Sequence, residues 1–300
     1  MGFSFAEKLM KKLAFPEVAV ERLKTLAERI AADGEAMSAF ASAEDGYMSE
    51  RIELDAALEA TAAAAERLGE EHPYAAHMLF LLSCAEELWA RYEETGLSEE
   101  VFLNTMDDFN CKLRECMKVK GEVGSFVPGW YDGFFRMTRF GLGRLQFERR
   151  PAPEELDGYT EKGLTLHTGD TVINIHIPSS GPLTGEKRRD AYRRAFGFFK
   201  DERRDGKLAI VCSSWLLYPP YRKVFGEGSN VVGFQDDFTR LFQHEADSFK
   251  DAWRVFGADA EKAPDELPRT TRMQRSFAEW LKNGGSAGYG TGVFVMTEDE

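Results

Sequence analysis

The chain has 300 residues, of which 43% are apolar and 12% aromatic, so we expect a sizeable folded core and exclude disorder as the main state. The 38 Lys and Arg residues are outnumbered by 51 Asp and Glu residues, and this net charge of −13 argues against a nucleic-acid partner. The longest strongly apolar stretch, residues 78–85, is far shorter than the roughly 20 residues that cross a bilayer, and the first residues do not resemble a secretory signal, so we expect a cytoplasmic protein without a membrane partner.

Charge and composition change along the chain. Residues 1–124 contain 13 basic and 25 acidic side chains, whereas residues 125–300 contain 25 basic and 26 acidic ones. The first part is rich in Ala, Glu and Leu, and the second has most of the Gly, Pro, Phe and Trp. These differences predict an α+β protein with an all-helical N-terminal domain over residues 1–124 and a mixed domain over residues 125–300.

Apolar residues recur at helical spacing in the first part, which predicts helices over residues 15–32, 50–68, 73–94 and 98–119. After Gly143 the pattern changes to two-residue alternation. This predicts strands over residues 144–148, 164–167 and 171–177, the last two joined as a hairpin at Gly169 and Asp170. We predict the remaining elements as a helix over 187–204, a strand over 208–212, strands near 231–234 and 252–256, a helix over 269–282 and a strand over 293–296.

Several motif-like segments lack the spacing of a known site. Residues 181–187 do not fit the P-loop pattern, and the glycines of residues 288–292 precede a strand, whereas a dinucleotide fingerprint follows one. His244 has no second histidine at zinc-protease spacing, which favours a solvated helix or loop. The four cysteines include no CxxC pair and fit reduced, mostly buried thiols. We therefore expect no metal site.

A loop over residues 178–186 links a predicted strand to a basic helix. A turn rich in Gly and Ser at a helix N-terminus presents backbone N–H groups to an anion. Residues 186–204 also carry eight basic side chains and four acidic ones. This pattern predicts a polyanionic cofactor, although ordinary solvated charges on an amphipathic helix account for it equally well.

Polar side chains share one face of the predicted sheet, which either is open to water or lines a cleft. They are Arg144, Gln146, Glu148, Thr165, His167, Asn174 and His176. In a cleft, Glu148 or His176 is a candidate general base for an amine; a surface or hydrogen-bonding role is the alternative.

The segment over residues 212–221 follows a buried strand. It lacks the GxSxG pattern of hydrolases, and Cys212 is expected to be buried and inert. Tyr218 and Tyr221 are candidate proton donors to a leaving thiolate, with packing beside Trp215 as the alternative.

Several stretches together resemble a bacterial acyltransferase-like family with an N-terminal helical domain and a GNAT-like C-terminal domain. They are residues 96–108 (GLSEEVFLNTMDD), 141–148 (GLGRLQFE), 175–178 (IHIP), 181–184 (GPLT), 212–217 (CSSWLL) and 229–230 (SN). The resemblance implies a mostly antiparallel sheet and an acyl-CoA or CoA cosubstrate that lies along residues 171–177. The cofactor-binding residues it implies are Ile175, Ile177, Ser179, Ser180, Gly181, Thr184, Gly185, Arg188 and Arg189. The loop has its own spacing, and Pro182 offers no N–H group.

The resemblance predicts direct transfer of an acyl group from a CoA thioester to the amine of a small molecule. Backbone N–H groups near residues 175–177 polarise the thioester carbonyl, Glu148 or His176 accepts the amine proton, and Tyr218 or Tyr221 protonates the thiolate. The cleft is assigned to Arg144, Gln146, His167, Asn174, Ser213, Ser214 and Trp215. The alternatives are a catalytically silent protein that senses a small molecule or acyl-CoA, and an interaction scaffold built on the acidic helical part.

Overall fold

The computed structural model describes residues 3–299. The chain divides into two compact units, residues 1–141 and 142–300. The first unit is helical, as the sequence predicts. Its helices are α1 (Phe3–Lys12), α2 (Glu17–Ala32), α3 (Gly34–Met48), α4 (Leu54–Arg67), α5 (Tyr74–Glu94), α6 (Glu99–Lys120) and α7 (Asp132–Phe135), with a 3-10 turn at Pro128–Tyr131.

Helix α5 is the central element of the first unit. Every residue from Met78 to Ala85 is buried, as expected for a helix with apolar side chains on all sides. Helix α6 begins at a cap in which the Ser98 hydroxyl accepts the Val101 N–H, and it ends at Gly121 in the left-handed conformation. Helices α1 and α3 are not among the helices that the sequence predicts; α3 is capped by Asp33, whose carboxylate accepts two N–H groups of its first turn.

The second unit is built on a mostly antiparallel sheet, which confirms the predicted mixed domain. Strand β1 (Arg139–Leu142) crosses the boundary between the units. The other strands are β2 (Leu145–Pro151), β3 (Thr160–Glu161), β4 (Leu164–Thr165), β5 (Thr171–His176), β6 (Leu208–Ser214), β7 (Arg240–Ala246) and β8 (Ala287–Met296). Within this unit the main sheet has the strand order β2-β5-β6-β8-β7, and of these neighbours the pair β5–β6 is parallel and the others are antiparallel. The helices are α8 (Gly185–Phe198), α9 (Arg222–Phe225), α10 (Asn230–Gln235), α11 (Ala252–Phe256) and α12 (Arg272–Lys282).

The strand registers define two faces of this sheet. The front face carries Glu148, Asn174, Val211, Val293 and Arg240, and the back face carries Phe147, Ile173, Ile175, Ile210 and Phe294. An apolar cluster on the front face includes Val172, Val211 and Val293 together with Leu156 and Leu166 of the segment after β2. Helix α8 packs on the back face, where the Tyr192 ring lies 5.2 Å from that of Phe294.

Four secondary-structure predictions for the second unit are wrong. Strand β5 pairs with β2, and β4 pairs with β3, so the predicted hairpin of β4 and β5 does not form. Residues 231–234 and 252–256 belong to α10 and α11, because a short apolar run fits a buried helix as well as a strand. His244 lies in strand β7 and not in a helix or loop.

Candidate active site

The candidate site lies where strands β5 and β6 extend beyond their shared ladder. The two strands pair at two positions, the second of which joins Asn174 to Val211. Beyond that pair β5 continues to residue 176 and β6 to residue 214. We call residues 174–176 and 211–214 the β5–β6 junction. His176 and Ser213 each stand two residues beyond the last pair, so they lie at the same level on the front face.

A carboxylate contacts a histidine on the β5 side of the junction. The His176 Nε2 atom lies 2.7 Å from Glu148 Oε2 and 3.1 Å from Asn174 Nδ2. The side chains of His176 and Glu148 are 19% and 22% exposed, so the pair is shielded but not sealed from solvent. When the neutral ring donates from Nε2 to the carboxylate, its lone pair lies on Nδ1. This arrangement is the one in which a carboxylate orients a histidine base.

Two buried amides accompany this pair. Gln146 stands opposite His176 in the register and is 2% exposed, and within residues 3–299 neither its amide oxygen nor its nitrogen has a hydrogen-bond partner. The Asn174 amide oxygen accepts from Arg150 at 3.4 Å. An unsatisfied buried amide costs about 1–3 kcal/mol, so Gln146 gains by meeting a polar ligand.

A second chain of polar groups begins on the β6 side of the junction. The Ser213 hydroxyl lies 3.0 Å from the Thr291 hydroxyl, and Thr291 Oγ1 lies 3.4 Å from His244 Nε2. The same nitrogen lies 2.7 Å from Glu155 Oε2, and the His244 ring stacks on Tyr289. Ser213 is exposed although β6 has a strand on either side, whereas Thr291 is buried.

The loop before α8 ends in a helix cap. The Thr184 hydroxyl accepts the Lys187 N–H, and α8 begins at Gly185. Ser179, Ser180 and Gly181 are exposed, and Gly181 has a positive φ of 107°. The loop therefore leaves the first turn of α8 accessible, as an anion site requires.

Two arginines contact this loop and the start of α8. Arg144 Nη2 donates to the Gly181 carbonyl at 2.7 Å, so Arg144 fixes the loop. Arg189 is exposed, and its Nη1 lies 3.1 Å from where a side chain on Gly185 would begin. The Arg189 guanidinium thus lies over the first turn of the helix.

Arg188 does not fit the predicted role of a phosphate ligand. It is 4% exposed, and its guanidinium binds both carboxylate oxygens of Asp237, at 2.5 and 3.1 Å. It also donates to the carbonyls of Leu183 and Asn230, at 2.7 and 3.2 Å. Because its N–H groups are engaged inside the protein, Arg188 ties α8 to the segment after α10.

Tyr218 and Tyr221 do not fit the predicted role of acids at the site. The Tyr218 ring packs on Gly288, which stands opposite Glu245 on the back face, and its hydroxyl donates to Glu245 at 2.5 Å. Burial and the Glu245 carboxylate raise the pKa of Tyr218, and burial raises the pKa of Tyr221. Both tyrosines are fully buried, with ring centroids 4.8 Å apart, in an aromatic cluster with Phe277. Glu148 and His176 lie on the opposite face of the sheet.

Other predicted cleft residues have structural contacts elsewhere. The His167 side chain is 67% exposed, and its Nδ1 atom lies 3.6 Å from Asp157 Oδ1. It lies at the turn after β4, away from the main sheet, because β4 pairs with β3. The Ser214 hydroxyl caps the 3-10 turn Trp215–Leu217, and Trp215 packs on the back-face aromatic cluster. Cys212 is buried, and burial raises the pKa of its thiol, in keeping with an inert cysteine.

Comparison with known families identifies both parts of the chain. A family model of a GNAT-like C-terminal domain matches residues 140–294, and a model of an N-acyltransferase N-terminal domain matches residues 4–137. The chain belongs to an acyltransferase family with an N-terminal helical domain and a GNAT-like C-terminal domain. No protein with curated annotation matches it.

Solved structures of an acyltransferase share the fold of this acyltransferase family member. A complex with decanoyl-CoA and teicoplanin has a TM-score of 0.66 at 20% identity, covering 97% of this chain and 87% of that chain. A complex with decanoyl-CoA has a TM-score of 0.67 at 19% identity, and a mutant with octanoyl-CoA has 0.66 at 19%; both cover 96% of this chain and 86% of theirs. At this identity the likeness concerns the fold.

Two members of the second chain of polar groups, Thr291 and Glu155, were not predicted from the sequence. Thr291 sits within a glycine-rich run and comes beside His244 through the sheet order, whereas Glu155 lies in the turn after β2, far from β7 in sequence, so neither contact is evident from the sequence. Among the described residues, no group of three or more Cys, His, Asp or Glu side chains is arranged to hold a metal. No helix within residues 3–299 has the length and apolar composition to span a membrane.

Proposed function

We propose that this protein is an N-acyltransferase that moves an acyl group from acyl-CoA directly to an amine of a small molecule. The observation that carries the proposal is the Glu148–His176 pair beside the β5–β6 junction. The acyltransferase of similar fold has been solved with decanoyl-CoA, and with CoA and 10C-teicoplanin, which supports an acyl-CoA donor and a small-molecule acceptor.

The acyl-CoA lies in the junction, with its thioester near Ile175 and Ile177. Beyond a β ladder, backbone N–H groups of a strand are available to a ligand, as in strand addition. Such groups polarise the thioester carbonyl and stabilise the oxyanion that forms when the amine attacks. The buried Gln146 amide is the polar group nearest in register to His176, and it supports a polar ligand at this position.

The pyrophosphate binds at the first turn of α8. Ser179, Ser180, Gly181, Thr184 and Gly185 form its backbone cradle, and a helix N-terminus favours an anion. Arg189 adds a positive charge over Gly185.

His176 accepts the amine proton, and Glu148 orients the ring. An ammonium ion has no lone pair, so it must lose a proton before or during attack on the carbonyl. The carboxylate holds the Nε2 proton and stabilises the imidazolium that forms. The tetrahedral intermediate then collapses, and the thiolate of CoA leaves.

The test combines calorimetry of CoA binding with an assay of CoA release from octanoyl-CoA, using an alkylamine, an amino sugar and a polyamine as acceptors. We expect His176→Asn and Glu148→Gln to lower kcat by about 10²-fold while the Kd for CoA stays nearly unchanged. The control is Glu154→Gln, an exposed glutamate in the turn after β2.

Two outcomes contradict the proposal. If the wild type does not bind CoA at millimolar concentration, no acyl-CoA donor is used. If it binds CoA tightly but acylates none of the amines, the catalytically silent sensor becomes the better interpretation.

A further inference from the structure

We infer that Ser213 protonates the departing thiolate of CoA, and that Thr291 and His244 relay the replacement proton while the Glu155 carboxylate lies against the His244 ring. The inference rests on the proposed acyl transfer and assigns the acid that this reaction needs. The two tyrosines expected from the sequence do not fit that role, because they are buried on the back face.

Ser213 is placed where a proton donor to the leaving group is needed. It stands at the level of His176 on the neighbouring strand, and both side chains project from the front face. A thioester in the β5–β6 junction therefore has the base on the β5 side and a hydroxyl on the β6 side. Ser213 is exposed within the interior of a sheet, so a ligand can reach it.

The polar groups behind Ser213 form a path by which it regains a proton. A serine hydroxyl that gives up its proton must regain one at once, because serine is a very weak acid. The Thr291 hydroxyl lies 3.0 Å from the Ser213 hydroxyl and is buried. The His244 Nε2 atom lies 3.4 Å from Thr291 Oγ1 and is the next polar group in the series. The Glu155 Oε2 atom lies 2.7 Å from the same nitrogen and places a negative charge beside the ring.

The proton transfer balances. As the carbon–sulfur bond breaks, its electron pair goes to sulfur, and the thiolate takes the proton of Ser213 Oγ. Ser213 takes the hydroxyl proton of Thr291, and Thr291 takes the Nε2 proton of imidazolium His244. The neutral ring keeps its Nδ1 proton and is reprotonated from solvent, to which its side chain is 31% exposed. The other proton, from the amine, goes to His176, so the two histidines exchange no proton with each other.

The test uses the dependence of the rate on the leaving group. Octanoyl-CoA releases an alkyl thiolate that needs a proton, whereas the octanoyl thioester of thiophenol releases a much weaker base that leaves without one. We expect Ser213→Ala to lower kcat/KM for octanoyl-CoA by about 10²-fold and to change that for the aryl thioester by less than about threefold. Thr291→Val and His244→Asn should show the same selectivity with smaller losses.

The matched control is Thr160→Val. It removes a hydroxyl that lies 2.9 Å from the Thr165 hydroxyl in the small β3–β4 sheet, and it should affect neither substrate. Thermal unfolding of each variant shows that it is folded. If Ser213→Ala slows both substrates equally, or slows neither, Ser213 is not the acid. If the wild type itself transfers no acyl group from octanoyl-CoA, it is the proposed function that fails.

Discussion

Arg188 and Arg189 are adjacent in the sequence, but their side chains have opposite environments. Both belong to a basic stretch whose spacing fits either a phosphate site or a solvated helix face. The structure places Arg188 in a buried pair with Asp237, which also accepts the Tyr192 hydroxyl, and leaves Arg189 exposed. A charge count along one helix cannot separate these cases, because the partner Asp237 is 49 residues away.

Replacing each arginine by methionine should therefore have different effects. We expect Arg188→Met to lower the free energy of unfolding by about 3 kcal/mol, because it leaves the Asp237 carboxylate unpaired in a largely buried site. Arg189→Met should change stability by less than about 0.5 kcal/mol and weaken CoA binding, with a flatter salt dependence. Urea unfolding and calorimetry measure these effects. Equal stability of the two variants would contradict the structural role of Arg188.

The glycines of strand β8 resemble a binding motif in the sequence, but their role in the structure is packing. Gly288 and Gly290 have the look of a dinucleotide fingerprint, which their place in the sequence already argued against; in the structure they lie within β8 and let the segment after β6 approach the sheet. A side chain on Gly290 would begin 2.1 Å from the Leu217 carbonyl oxygen, and one on Gly288 would begin 2.5 Å from the Tyr218 ring. The glycine pattern thus follows from close packing on the back face.

We expect Gly290→Ala to destabilise the protein by about 3 kcal/mol or more, since backbone must move to admit the new methyl group. The control is Gly197→Ala in helix α8, where no atom lies within 4 Å of the added carbon. That change should raise stability by about 0.5–1 kcal/mol, because alanine is the better helix former. Urea unfolding of both variants checks the prediction, and similar values for the two would contradict it.

Elements in which apolar residues recur at a regular spacing were predictable from the sequence, and elements without such a spacing were not. Strand β5 alternates cleanly over Thr171–His176, and its pairing with β2 brings together Glu148 and His176, which the sequence had placed on one face. Strand β7 escaped prediction because adjacent Leu241 and Phe242 break the alternation. The connection from Ser213 through Thr291 to His244 could not be predicted for a different reason. It depends on the sheet order β6-β8-β7, which is a long-range property of the fold.

At the scale of the whole molecule, the sequence places the end of the helical domain near residue 124, whereas the compact helical unit extends to residue 141. The added segment is rich in Gly and aromatic residues, which suggested the second domain. Its side chains belong to the first unit's core: Tyr131 is fully buried, with its ring centroid 4.1 Å from that of Phe109. The Tyr47 hydroxyl also donates to Asp132 at 2.8 Å.

Two fragments test where the helical domain ends. Each large aromatic side chain removed from a core costs about 3–5 kcal/mol, and a typical domain is stable by only about 5–15 kcal/mol. A fragment of residues 1–124 lacks Tyr131, Phe134 and Phe135, which are all buried, so it should not fold cooperatively. A fragment of residues 1–141 keeps them and should unfold in one sharp thermal transition, followed by circular dichroism at 222 nm. Sharp transitions of similar midpoint for both fragments would show that the segment after residue 124 is dispensable and would support the boundary expected from composition.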